Sequence, residues 1–267
     1  MRCARCGAFL ALPAVLVLAG LLGMNRLEAH VLARLADRAS PTVIFPNLPE
    51  SLASLARPDL DASVSDLLKE DWTDHTMCKR IADRVGSLAW VADIKHVRRR
   101  SNGSFEVLAR FRVPFAMIRS ETGFCLVGAD AVRLPGLYRY DPDRPLIQGV
   151  AGPPPEPGQV WPGEDIKAGI SVIGRLAQEP YRHQITAVLV DNHRGRVDPR
   201  SSHIALATDV AGGRILWGSE PGEEVEENSV ARKLAMLRTN YRETGRADAN
   251  HTVIDISTFP DRFVVPN

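Results

Sequence analysis

The sequence predicts an α+β fold carried behind a single N-terminal transmembrane helix. Three observations predict it. Gly7 to Met24 is an apolar run without a charged side chain. An Asn102-Gly103 turn joins two segments with strand patterning, a strong hairpin signal. Further on, helical and strand patterns follow one another with no internal repeat and no long low-complexity tract.

The apolar run GAFLALPAVLVLAGLLGM covers residues 7–24. As a helix it spans about 27 Å, close to the hydrocarbon thickness of a bilayer. Pro13, near its start, is tolerable there. The competing explanation is a cleaved signal peptide. The run is longer than a usual signal core and no small-x-small cleavage site follows, so an uncleaved anchor is expected. Arg2 and Arg5 precede the span, whereas Arg26, Arg34 and Arg38 follow it. Flanking charge therefore does not set the orientation. A long folded domain translocates regardless, which permits a cytoplasmic N-terminus. The expected organisation is a tail at 1–6, the helix at 7–24 and a juxtamembrane segment at 25–40, with Leu27 to Arg38 helical. A small domain at 41–132 and a second domain at 133–267 follow.

Pro41 ends the juxtamembrane helix, and Thr42 to Phe45 has the pattern of a short strand. Helical patterns are expected over Ala62–Lys69 and His75–Val85, the second capped by Thr73 or Asp74. Strands are expected at Trp90–Val97, Phe105–Val113 and Gly123–Gly128, completing a small α+β domain. The change to the second module is placed near Val132–Gly136, and residues 152–163 form a Pro/Gly loop. Glu164–Ala177 is an amphipathic helix with Ile166, Ile170, Ile173 and Ala177 on one face. Gln184–Val190 is a strand. His203–Thr208 and Arg214–Gly218 form a hairpin around Val210-Ala211-Gly212-Gly213. Asn228–Thr244 is a helix with Val230, Leu234, Leu237 and Tyr241 inward and Gly245 closing it. Strands at Thr252–Ser257 and Arg262–Val265 finish the chain.

The 33 basic and 32 acidic side chains nearly cancel, so charge provides no reason to expect nucleic acid as a partner. Four cysteines are too few for a disulfide framework at this length. The Cys3-x-x-Cys6 pair has no second ligand pair nearby, and Cys78 and Cys125 read either as a disulfide or as small buried residues. No nucleophile elbow, phosphate loop, zincin helix or dinucleotide fingerprint is present, so no catalytic residue and no cofactor are expected. His183, Asp191, His193 and His203 come nearest to a metal cluster. Their positions in turns and at strand starts point to ordinary surface roles, and no metal is expected. Glu220, Glu223, Glu224, Glu226 and Glu227 precede a helix, and helix-dipole complementarity with solvation explains them. Trp217 and Trp161 are candidates for stacking on a ligand; Trp217 alternates with Ile215 inside a hairpin, so core or cross-strand packing is expected of it.

Several stretches, taken in order, resemble the FtsQ/DivIB family of bacterial cell-division proteins. AWVADIKHVRR, FEVLARFRVPFAMIR and CLVGADAVRLPG resemble its Trp-Val, Pro-Ala and Leu-Val strands. PLIQGV ahead of Glu164 resembles the start of its second domain. GGRILWGS, Lys233-Leu234 and VIDIS resemble its closing strand–helix–strand unit. The likeness covers roughly residues 85–267. Gly128 stands where the family has an acidic residue, and the 152–163 loop is long for it. The resemblance implies a POTRA-like small domain, then a mostly antiparallel β domain of the family's type with flanking helices. It also implies a non-enzymatic scaffold of the inner membrane with its bulk in the periplasm, helping to regulate septal wall synthesis. Its partners would be other divisome membrane proteins of the FtsB/FtsL kind, docked by strand addition. The matching positions are Thr258, Phe259, Arg262, Phe263, Val264 and Val265. A POTRA-bearing transport or secretion component is the alternative from another class, and a periplasmic metal-dependent hydrolase using the histidines is a third.

Overall fold

The structure is a computed structural model that describes residue 26 and residues 41–70 and 74–258. The expected anchor at 7–24, the helix at Leu27–Arg38 and the strand at Arg262–Val265 lie outside the described residues. Among those described, no helix is long and apolar enough to cross a membrane. The fold is α+β, with four helices and two sheets. The described chain divides into two compact units. One runs up to Ser87 and resumes at Asp93–Arg110; the other takes Leu88–Ala92 and everything from Phe111.

The first unit runs β1 (Val43–Ile44), α1 (Glu50–Val64), a 3-10 turn (Leu67–Lys69), α2 (Met77–Gly86), β2 (Val91–Arg99) and β3 (Phe105–Phe111). Its sheet order is β1-β3-β2, with β1 parallel to β3. The first helix corrects the expectation of Ala62–Lys69. It starts twelve residues earlier, after Pro49, and carries Pro58 inside. Leu52, Ala56, Leu60 and Val64 recur every four residues and are buried on one face. Pro58 is exposed, so the carbonyl it leaves unpaired, on exposed Ser54, turns to water. Pattern-reading stops at a proline; packing does not. The second helix lacks the expected side-chain cap. Instead the Asp74 carboxylate accepts the Thr76 N–H at 2.9 Å and the Thr76 hydroxyl at 2.6 Å, one turn before the helix. The β2–β3 turn is as read: Asn102 Oδ1 accepts the Ser104 N–H, and Gly103 takes φ +85°.

The second unit holds a seven-stranded sheet. Its strands are β4 (Ala116–Ser120), β5 (Gly123–Val127), β6 (Leu146–Gln148), β7 (Ile185–Leu189), β8 (Ile204–Thr208), β9 (Arg214–Gly218) and β10 (Val253–Asp255). Helices α3 (Glu164–Leu176) and α4 (Val230–Thr244) accompany them. The order is β10-β9-β8-β7-β6-β4-β5. This corrects the expectation of a mostly antiparallel domain: β10–β9, β7–β6 and β6–β4 pair parallel, because segments containing α3 and α4 cross over between β6 and β7 and between β9 and β10. Register explains the core. Ile254, Ile215, Leu206, Val188, Ile147, Ile118 and Cys125 stand opposite one another across all seven strands. All seven are buried, and each large aliphatic in this row contributes about 1.5–3 kcal/mol.

The strand expected to close the small domain, Gly123–Val127, belongs instead to this larger sheet, paired antiparallel with β4. The units therefore change at Arg110–Phe111 rather than near Val132–Gly136. Strand β4 escapes detection by alternation because Ala116, Met117 and Ile118 are all buried, and β6 because it is three residues long. In α3 the buried face is Ile166, Ala168, Gly169, Val172, Ile173 and Leu176; Ala177 is exposed and Ile170 half-buried, contrary to expectation. A Cβ on Gly169 would lie 3.0 Å from Ile147 Cγ2, so the glycine allows α3 to sit close on the sheet and sets that phase. Helix α4 ends at Gly245 in the left-handed conformation, its N–H donating to the Tyr241 carbonyl at 2.9 Å, as read. The 152–163 loop is tied down: Arg133 N–H donates to Gln159 O, Gly158 N–H to Arg133 O and Trp161 N–H to Ala131 O. Cys78 and Cys125 are free thiols, the latter buried.

Candidate partner-docking edge

A sheet offers hydrogen bonds to another chain only at its edges. The two edges of the large sheet are treated differently. On the β5 side, Tyr138 bridges Phe124 and Arg133 bridges Val127, so the 131–140 segment covers that edge. On the β10 side, no described strand follows.

The direction of the β10 backbone follows from its bonds to β9. Arg214 N–H donates to Thr252 O at 2.7 Å, and Ile256 N–H donates to Leu216 O at 3.1 Å. Residues alternate sides along a strand, so Thr252, Ile254 and Ile256 direct their backbone groups to β9. Val253 and Asp255 direct theirs away from it. At Ser257 the outward groups are taken: its N–H goes to Asp255 Oδ1 at 2.8 Å, and its carbonyl accepts the Asn228 N–H at 2.8 Å. The outward ladder of β10 thus consists of two residues.

A polar cluster fixes where the chain leaves this edge. The Asn228 amide nitrogen donates to Ile256 O at 3.0 Å and to Thr258 O at 2.7 Å, so one buried side chain holds two alternate carbonyls of the exit. Next to it, the Glu227 carboxylate accepts the Ser219 N–H and hydroxyl, and Lys233 Nζ donates to it at 2.9 Å. Lys233 is wholly buried, its ammonium 5.4 Å from the centroid of the Trp217 ring. Gly218, at φ +94°, lies between Glu227 and Ser257: a Cβ there would stand 2.7 Å from Ser257 Cβ and press on the Glu227 carboxylate. Gly218→Ala is therefore expected to lower stability by about 2 kcal/mol through backbone strain and displacement of Glu227, measurable by urea unfolding.

Burial pushes the Glu227 carboxyl up, but the Ser219 N–H and Lys233 outweigh it and hold the group below the usual glutamate range. A carboxyl depressed in the folded state contributes stability above its unfolded value, and that contribution is lost as pH falls through the folded one. Wild-type stability should thus fall as the pH drops below about 4, and Glu227→Gln should flatten that part of the curve. Denaturant midpoints measured from neutral to acid pH check this.

Of the expected docking residues, Thr258 is the last described. It is exposed, with its carbonyl on Asn228. Phe259, Arg262, Phe263, Val264 and Val265 lie outside the described residues. The acidic stretch departs from expectation: α4 starts at Val230 with no acidic residue in its first turn. Glu220 instead meets His193 Nε2 at 3.0 Å and Arg194 at 3.2 Å, and Glu227 has the internal role above. Exposed His183 lies beside the Tyr241 ring, and no group of three His, Cys, Asp or Glu side chains suited to a metal occurs among the described residues. Trp217 and Trp161 are both buried. Sequence pattern missed Asn228 and Lys233. A signal was present: Lys233 falls three residues after Val230 and four before Leu237, on the face that is otherwise apolar. No protein-family profile matches the chain, and no curated protein matches it.

Proposed function

We propose that the chain is a non-enzymatic membrane-anchored scaffold of the bacterial division machinery, of the FtsQ/DivIB kind, which binds a partner by strand addition beyond β10. In this reading residues 7–24 anchor it in the inner membrane with the bulk in the periplasm, and the βααββ unit is POTRA-like. The observation that carries the reading is the backbone of β10, the edge strand among the described residues, where Val253 and Asp255 direct their N–H and C=O groups away from β9. Two outward residues, Val253 and Asp255, match what a four-residue antiparallel strand such as Arg262–Val265 uses. That strand would then present the final edge, with backbone bonds providing affinity and alternate side chains specificity. A photo-crosslinking amino acid in place of Val264, in the chain in its native membrane, tests this. An adduct with a second membrane protein, absent when the label replaces exposed Tyr140, is expected. Equal adducts at both positions would overturn it.

A further inference from the structure

A cavity of about 380 Å3 opens at the other end of the large sheet, away from the polar cluster that holds the β10 exit. Its apolar wall comes from Ile173 and Leu176 of α3 together with Leu146, Ile185 and Val188 of the adjoining strands. The strand start of β7, which carries a register shift between Ile185 and Ala187, lines it together with the Asp143–Pro145 segment. The size falls within the range of small-molecule sites.

The mouth carries one unpaired guanidinium, that of Arg182. Arg182 and His183 belong to a 3-10 turn, both exposed. Arg182 has no carboxylate within ion-pair distance among the described residues. The turn is rigidly held: the buried Gln184 side chain donates to Gly245 O at 2.9 Å and accepts the Ala247 N–H at 2.8 Å. Arg144 lines the cavity too, but its Nε donates to the Asp141 carboxylate at 2.9 Å, so its charge is already paired. Asp143 is the one acidic residue of the lining. An apolar wall with an unpaired guanidinium on a fixed backbone turn at its mouth suits a ligand with an aliphatic body and a single negative head.

We propose that this cavity binds a small aliphatic carboxylate, its chain against Ile173, Leu176 and Ile185 and its head on Arg182 and His183. This site is independent of the β10 edge. The test uses the full chain in lipid nanodiscs and a photoactivatable decanoate, with adducts mapped by peptide mass spectrometry. Label should concentrate on 142–146, 173–176 and 182–188, be displaced by octanoate and persist in the presence of octylamine. Arg182→Glu changes an exposed side chain, so thermal stability should be unaltered while labelling falls about tenfold, as expected for a charge-assisted contact. Labelling spread evenly over the chain, displacement by octylamine as readily as by octanoate, or undiminished labelling of Arg182→Glu would each overturn the proposal.

Discussion

Lys233→Ala is expected to cost about 3 kcal/mol of folding stability. Removing the ammonium leaves the Glu227 carboxylate with only the Ser219 donors, and it leaves a hole beneath the Trp217 ring. Breaking one side of a buried pair is costly because the remaining charge keeps its desolvation penalty. Glu227 is partly open to solvent, its side chain 21% exposed, which places the loss at the low end of the buried-pair range. Lys233→Met keeps the packing volume and should recover part of the loss. Combining Lys233→Ala with Glu227→Gln should cost less than the two single losses added, since each removes the other's unpaired charge. Chemical denaturation of the wild type and the four variants measures all of this. Strict additivity would show that the pair does not couple.

The α+β class was legible because strong local signals agree with the tertiary structure. The Asn102-Gly103 turn, the hairpin around Gly212-Gly213 and the stop at Gly245 each need a backbone conformation that few residues adopt. Other features were illegible for equally physical reasons. Alternation fails for β4, where both faces are covered. The long helix α1 was hidden by Pro58, whose exposed position makes it tolerable. The placement of β5 in the larger sheet depends on its pairing with β4, a contact that no local pattern encodes. In the candidate site, the edge strand at Val253–Asp255 was readable from composition. Lys233 was marked by its place on the otherwise apolar face of α4, but its partner Glu227 was not; and Asn228, two residues ahead of that helix, has no local signal, since its partners are carbonyls of the 256–258 exit.

Proline at Val264 should abolish partner binding while leaving the fold intact, if the backbone donor of residue 264 faces the added strand. Proline removes that donor and fixes the local backbone. Phe263→Ala should weaken binding by about 2 kcal/mol if the ring anchors the partner. If that ring is core instead, melting temperature falls and affinity follows only indirectly. Alanine elsewhere along the strand is a weak probe, since backbone bonds survive it. The most direct measurement compares melting temperature and partner crosslinking, with the label moved to Arg262, for Val264→Pro and Phe263→Ala in the full chain. Lost crosslinking with an unchanged melting temperature is the expected result. Undiminished crosslinking in both variants, with the fold intact, would contradict docking at this edge.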